Sequence, residues 1–378
     1  MRPAEAAPAR TRAIAATNSV VTGWGAGEAA SVSIVRPGDV EELRATVESA
    51  SRGQTLPRGM GRSYGDAAQI SGGLVIETTR LKRIEFDRGR GTVPAQAGVT
   101  IGELLREAVP ADWIVPVVPG TRHVTVGGAV AGDIHGKNHG TAGTFGTHVE
   151  AISLLRADGE LVELRPGTPD GHFAATVGGM GLTGIVVDAR IKLSSVRGAM
   201  LSVDTDRVSS LDDALAALVA PGGPHRVAWL DLLCAHPGRG IVTRAQHVDT
   251  PGEGKAVIHS RGTVPRAWPG GALRPGVVRS FNALKFASAR RGSLSPGGAG
   301  VSDALLVGER RRSDSRSCGS WLPSACGHSA ATPAGSRTRR AGFTLPQSRS
   351  VCSTPTTSLR IGTRSSGRSP KPTASTWS

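Results

Sequence analysis

The sequence predicts an α+β fold on three observations. Helix-like and strand-like segments alternate from about residue 20 to about residue 195, most connections between them are short and glycine-rich, and one Asp-Gly turn joins two strands directly. A doubly wound parallel sheet is therefore not expected.

Each element has a local reason. SVSIV is a short apolar run stopped at Pro37, and Asp39 with Glu42 forms a capping box for the helix VEELRATVESA. GGLVIET reads as a strand. Thr100 with Glu103 caps the helix IGELLREAV, and VEAISLLRADGELVEL gives two strands around its Asp-Gly turn. Beyond residue 200, SSLDDALAALVA is an amphipathic helix with Asp212 and Asp213 favourably placed in its first turn. RVAWLDLLCA and GRGIVTRAQHV are strands.

The expected organisation is a flexible N-terminus over residues 1–17, a first domain over 18–195, a second region over 196–290 and a basic tail over 291–378. The tail is Ser-, Arg-, Thr-, Pro- and Gly-rich and carries no apolar period of 2 or 3.6, so disorder is expected. Two origins account for it. One is a natural low-complexity tail; the other is a GC-rich gene translated in a shifted frame, which gives the same residue mixture with scattered cysteines.

Net charge is +15, which taken alone suggests nucleic acid or an anionic membrane. The charge is unevenly placed. After Asp314 there are nine basic residues and no acidic one, and subtracting those nine leaves +6 for residues 1–314. The tail also has almost no interleaved aromatics for stacking on bases and no recognisable module, so nucleic acid is not the expected partner. Cys234 stands alone in the body, with Cys318, Cys326 and Cys352 in the tail, and nothing resembles a C-x-x-C site. No continuous apolar stretch marks a signal peptide or a membrane span, so a cytoplasmic location is expected.

Two motifs carry chemistry. In Pro57-Arg58-Gly59-Met60-Gly61-Arg62-Ser63-Tyr64-Gly65-Asp66-Ala67 the close glycines let backbone N–H groups converge on an anion, and a pyrophosphate is the obvious guest. The nicotinamide fingerprint G-x-G-x-x-G is absent. The second motif, PGTRHVTVGGAVAGDIHGKNHG over 119–140, mixes small and polar residues, so its backbone is expected to lie flat against a planar ligand. Asp133, His135, Lys137 and Asn138 crowd into six residues, a costly arrangement unless a ligand satisfies them. His135 and His139 have the spacing of a helical zinc pair, but Gly136 and Gly140 argue against a helix and no third ligand is nearby; no metal is expected. Lys137 also has the simpler reading of a solvated surface lysine, and Trp229 reads as core.

Together the motifs resemble the PCMH-type FAD-binding domain of the vanillyl-alcohol oxidase superfamily. Within it the likeness is to the polyprenylphosphoryl-ribose oxidases of bacterial cell-wall arabinan synthesis. It rests on TGWG (22–25), RGMGRSYGDAA (58–68), PGTRHVTVGGAVAGDIHGKNHGTAGTFG (119–146) and ATVGGMGLTGI (175–185), with AWLD (228–231) and FNALKF (281–286) further on.

The resemblance implies FAD as cofactor, with residues 18–195 as its domain and 196–290 as an incomplete α+β substrate domain. It makes 58–67 the pyrophosphate loop, with Gly120, Thr125, Val126, Gly127, Gly128, Gly132, Asp133, Ile134 and His135 lining the cofactor and Ile185 closing over it. His135 and Lys137 would act between the flavin ring and a sugar. Arg62 stands where covalent members commonly carry a histidine, so the resemblance implies non-covalent FAD. It also implies oxidation of a ribose C2 hydroxyl on a lipid-linked sugar, an electron acceptor, a short-chain reductase partner and contact with the membrane surface. An aldonolactone or alditol oxidase is the alternative of the same fold. The family's catalytic lysine lies in its C-terminal half, and after residue 290 the only lysine is Lys371, in a Pro/Ser/Thr setting. Little or no turnover is therefore expected of this chain.

Overall fold

The computed structural model describes residues 14–289 and 292–294, apart from 26, 52, 199, 236 and 250–273. The expected flexible N-terminus therefore falls mostly, and the expected tail almost wholly, outside the described residues. All described residues belong to one compact unit, Met1–Ser324.

The chain begins with β1 (Thr17–Val21), β2 (Ala30–Val35), α1 (Val40–Ser49), β3 (Thr55–Arg58) and β4 (Leu74–Glu77). It continues through β5 (Thr92–Gln96), α2 (Ile101–Ala108), β6 (Trp113–Ile114), α3 (Val126–Ala131), α4 (His139–Ala142), β7 (Val149–Leu155) and β8 (Leu161–Leu164). Next come α5 (His172–Thr176), β9 (Ile185–Lys192) and β10 (Ser194–Ser195). The last group is β11 (Leu201–Val208), α6 (Leu211–Val219), β12 (His225–Asp231), β13 (Arg239–His247), α7 (Pro275–Ser288) and β14 (Gly292–Leu294).

One sheet is mixed and the others are antiparallel, in keeping with an α+β fold. The first has the order β1-β2-β4-β3, parallel where β4 meets β2 and β3 and antiparallel where β1 meets β2. The second, β5-β9-β7-β8, is antiparallel throughout, and β7 and β8 are the hairpin expected around Asp158-Gly159. A third antiparallel sheet has the order β12-β13-β11-β14.

Helix α2 shows how local signals set the packing. Thr100 Oγ1 accepts from the Glu103 amide at 3.2 Å while the Glu103 carboxylate accepts from the Thr100 amide at 2.7 Å. Such a reciprocal cap stabilises a helix start by about 1 kcal/mol. Ile101, Leu104, Leu105 and Ala108 then fall on one face, all buried in the main core with Val126, Ala129, Val130, Ile152 and Ile191. At α1 the expected box is shifted. Asp39 does accept from the Glu42 amide, but the Glu42 carboxylate reaches the amide of Gly38 at 2.7 Å, one residue earlier.

The change of sheet falls between Ser195 and Leu201, yet packing continues across it. Leu201, Val203 and Ala245 of the third sheet are buried in the same cluster as α2 and α3. The other face of that sheet packs Val208 and Val242 against Ala214 of α6, a helix capped by Ser210 as its sequence suggests.

The stretch 119–140 is helical in part. VGGAVA is helix α3, because Thr125 Oγ1 caps it by accepting from the Gly128 amide at 3.2 Å and its apolar side turns to the core. His139 begins the single-turn α4, while His135 lies outside any helix, so the two histidines do not share one.

Candidate functional site

The loop after β3 is held open by its own arginine. Arg58 is buried, and its guanidinium donates to the carbonyls of Ala68 at 2.6 Å and Thr22 at 2.8 Å, closing the loop around itself. Gly61, at φ +60, lies directly on that guanidinium, where a side chain would collide. The loop 22–25 packs alongside. Trp24 and Gly25 donate their amides to the carbonyls of Ser63 (2.6 Å) and Tyr64 (3.1 Å).

Those two bonds orient the loop. In a trans peptide the N–H points opposite to the C=O, so carbonyls turned toward 24 and 25 send the Tyr64 and Gly65 amides the other way. Among the described residues, the amides of Gly59, Met60, Gly61, Ser63, Tyr64 and Gly65 donate to no protein group. Ser63 to Ala67 are exposed, and a Cβ on Gly65 would meet no atom within 4 Å. A row of unspent donors around a glycine lip fits the anionic diphosphate of a dinucleotide.

The second motif is brought against the first. Gly59 packs on the side chain of Thr125, which is buried and bridged to Thr100. Residues 97–101 fix the approach: the Ile101 amide donates to Val124, the Val126 amide to Val99 and the Gly127 amide to Ala97. Gly128 is exposed, and a Cβ there would meet only Thr125 Oγ1, at 3.2 Å, whereas one on Gly127 would press into Ala97. Gly120 also opens onto free space.

A third segment completes the wall. Gly178 and Met180 donate their amides to the carbonyls of Val130 (3.0 Å) and Ala131 (2.8 Å), and Gly181 packs on Pro57. Asp133, at φ +37, accepts from the Gly146 amide at 2.8 Å and so fixes the bend that follows α3. Tyr64, Met180 and Leu182 are exposed at 66%, 51% and 83%, an apolar rim suited to a planar aromatic ligand. The residues present fit FAD.

Of the expected site residues, the loop 58–67 meets the second motif where Gly59 packs on Thr125, and α3 carries Thr125 to Gly128 on to Gly132 and Asp133. Ile185 stands apart: its side chain is in the core with Val35, Leu43 and Ile76, so only its backbone can face a ligand. Arg58 likewise offers the site a scaffold, its guanidinium being turned into the loop.

His135 is exposed, bridges Thr144 through its backbone and has its ring 5.4 Å from that of His139. Among the described residues no group of three or more His, Cys, Asp or Glu side chains could hold a metal ion. Lys137 is partly buried, and burial pushes its ammonium below the ordinary lysine pKa. Asn138 is buried; its Nδ2 donates to the Pro116 carbonyl at 2.8 Å, while Oδ1 finds no donor among the described residues.

Two histidines that sequence reasoning did not single out stand beside Lys137. His225 and His247 lie on the same face of β12 and β13, their rings 5.6 Å apart and edge to face. His225 is buried and its pKa falls to about 4, through burial first, then His247 and Lys137. Neither Nδ1 has a hydrogen-bond partner among the described residues. The signal was slight, because a lone histidine at each strand end reveals nothing until the register pairs them.

Residues 32–165 match a family model described as an FAD binding domain. The chain is 42% identical over 239 residues to decaprenylphosphoryl-beta-D-ribose oxidase of Mycolicibacterium smegmatis, spanning 60% of this chain and 52% of that protein. It is 43% identical over 153 residues to an uncharacterized protein in the mprA 5' region of Streptomyces coelicolor, 39% of this chain and 41% of that one. Over 194 residues it is 26% identical to a D-lactate dehydrogenase of Anaerostipes hadrus, 49% of this chain and 41% of that enzyme. The chain thus spans about half or less of the length of these relatives.

Proposed function

We propose, from the premise that this chain carries a PCMH-type FAD-binding domain, that it is an FAD-dependent oxidoreductase acting on a sugar hydroxyl. The observation that carries the reading is the convergence of three separate segments: the unspent amides of 59–61 and 63–65, the Thr125 end of α3 and the strip 178–182 tied to Val130 and Ala131. The likeness to a decaprenylphosphoryl-ribose oxidase supports the sugar class, and ribose C2 of a polyprenylphosphoryl-ribose in arabinan synthesis is the substrate we assign.

Bound FAD would supply the acceptor for the hydrogen carried on the oxidised carbon. The chain's own part is binding and electrostatics. The amides of 59–65 would hold the diphosphate, and Arg62, which cannot make the linkage a histidine makes, leaves the cofactor non-covalent. Lys137 would place positive charge, and His135 a hydrogen-bond donor, near the negative charge that reduction leaves on a bound flavin. Gly120, Gly128 and Gly132 would let the backbone approach the ring system closely.

The remaining partners in this proposal are an electron acceptor, a short-chain reductase that consumes the keto sugar, and a membrane surface that holds the substrate. We place the enzyme in the cytoplasm; separately, among the described residues no helix is long and apolar enough to cross a membrane. The domain limits 18–195 and 196–290 belong to the same proposal. Because residues 291–378 offer Lys371 alone where a catalytic lysine is expected, we assign this chain FAD binding with weak turnover.

The test is direct. The purified chain is titrated with FAD, then assayed with polyprenylphosphoryl-ribose, a soluble alditol and a dye acceptor. FAD binding with slow formation of a 2-keto ribose on the lipid substrate supports the reading. Turnover of the alditol alone favours the alditol oxidase alternative, and failure to bind FAD overturns both.

A further inference from the structure

The third sheet turns His225 toward the second glycine motif. His225, Val227 and Trp229 share one face of β12, and Thr243, Ala245 and His247 continue that face on β13. His225 pairs with Ala245, so His247 is its diagonal neighbour, and the two rings meet edge to face at 5.6 Å. The Arg226 amide donates to the Lys137 carbonyl at 2.8 Å, and the Lys137 ammonium is close enough to act on the His225 ring. Arg226 itself points away, its guanidinium donating to the Leu218 carbonyl. Three groups able to carry positive charge thus come together from one loop and two strands.

The two rings are held as neutral donors. Only 8% of His225 is exposed, and its Nδ1, like that of His247, is buried without a hydrogen-bond partner among the described residues. A buried N–H with no acceptor is costlier than a bare lone pair, which assigns the hydrogen of each ring to Nε2. Burial opposes a second proton on both rings, and at His225 the neighbouring His247 and Lys137 oppose it further. No carboxylate among the described residues acts on either histidine. What opposes a further proton favours an anion. The cluster is open along the sheet, since Lys137, His247 and Thr243 are partly exposed and Val227 is exposed. A phosphoryl group presents several acceptor oxygens in a tetrahedral array, which donors from three segments can share; a carboxylate presents two, in one plane. We infer that His225 and His247, with Lys137, form a binding site for a phosphoryl group. Its identification with the phosphate carried by the ribose substrate rests on the proposed function; free phosphate offers the same chemistry.

The experiment records proton–nitrogen correlation spectra of the imidazoles of the full chain, with and without FAD. Inorganic phosphate, methylphosphoryl-ribose (a soluble phosphodiester) and ribose are added in turn. Both rings should begin as the Nε2–H form, and a phosphoryl compound, but not ribose, should shift them. The bound anion should raise the His225 pKa by about two units from its value of about 4. Binding then takes up a proton, so affinity for the diester, whose own charge is constant, should rise about four-fold from about pH 7.5 to about pH 5.5. His247→Phe keeps a ring but no donor and should weaken binding about ten-fold, whereas His247→Gln, which retains a donor, should recover most of it. Lys285→Met removes an ammonium that sits over Trp229, about 13 Å farther along the strand, and should leave affinity within about two-fold. The spectra of the parent chain decide the matter even where a variant fails to fold. Histidine signals unmoved by both phosphoryl compounds, or full affinity in His247→Phe, would overturn the inference. A response to the diester supports the substrate's phosphate as the ligand, and a response to inorganic phosphate alone supports a free-phosphate site. Shifted histidines in a chain that binds no FAD would support the site and overturn the proposed function.

Discussion

The carbonyl of Lys137 accepts the amide hydrogen of Arg226 at 2.8 Å. The bond joins the second glycine motif to the first strand of the third sheet, and it brings His225 beside the Lys137 ammonium. A loop expected to serve a cofactor is thereby part of the contact between the two regions, so perturbing either side should be felt at the other.

Lys137→Met should keep FAD but lower its two-electron potential by a few tens of millivolts, about 1–3 kcal/mol, because a partly buried positive charge is removed. Spectroelectrochemical titration of the bound flavin measures this. His135→Ala should likewise retain FAD and alter its visible spectrum. Unchanged potentials and spectra in both variants would remove these two residues from the flavin's surroundings.

Bound FAD should be released by acid. Arg62 occupies the glycine loop where a linking histidine would stand, and an arginine forms no such bond. After precipitation the yellow colour should stay in the supernatant. A coloured pellet would mean another side chain has made the link.

Gly128→Val and Gly61→Val should fail differently. A side chain on Gly128 projects from an exposed helix position, so the variant should keep its melting temperature within a few degrees and lose FAD affinity by about a hundred-fold. At Gly61 the positive φ and the Arg58 guanidinium both oppose a side chain, so stability should fall by about 1–3 kcal/mol as well. Paired thermal melts and FAD titrations separate the two. Full FAD affinity in Gly128→Val would show that α3 does not face the cofactor.

Stability should decline toward acid because of His225. Its pKa in the folded chain is about 4, whereas an unfolded histidine titrates near 6.5. Between those values the unfolded chain binds a proton that the folded chain refuses. The histidine is thus fully compatible with the fold above about pH 6.5 and costs stability as pH falls toward 4, on the order of 3 kcal/mol across the window. Burial pushes His247 in the same direction. Urea unfolding from about pH 4.5 to about pH 7 should show the slope, and His225→Gln should flatten it. An unchanged slope in that variant would assign the acid sensitivity elsewhere.

Much of this protein was legible in its residues. The capping box at Thr100, the hairpin around Asp158-Gly159, the apolar face of α2 and the two glycine motifs are all local, because caps, turns and helical periodicity need only neighbours a few residues apart. The loop 58–67 was legible only as a place where glycines let backbone donors converge on an anion; its assignment to FAD came from the family resemblance.

Only tertiary structure decided which way those segments face. Thr125 could not be known to touch Gly59, nor Ala131 to receive Met180, since these contacts depend on how loops more than forty residues apart fold back. Ile185 was expected over the cofactor and its side chain went to the core, because β9 is paired with β7 and its alternation was fixed by that register. His225 and His247 became neighbours through the register of β12 on β13, and Asn282 of α7 meets Asp231 of β12 across 51 residues of chain. Sequence set the local chemistry of each segment; strand register and long-range hydrogen bonds set which side chains meet, and those are determined by partners distant in the chain.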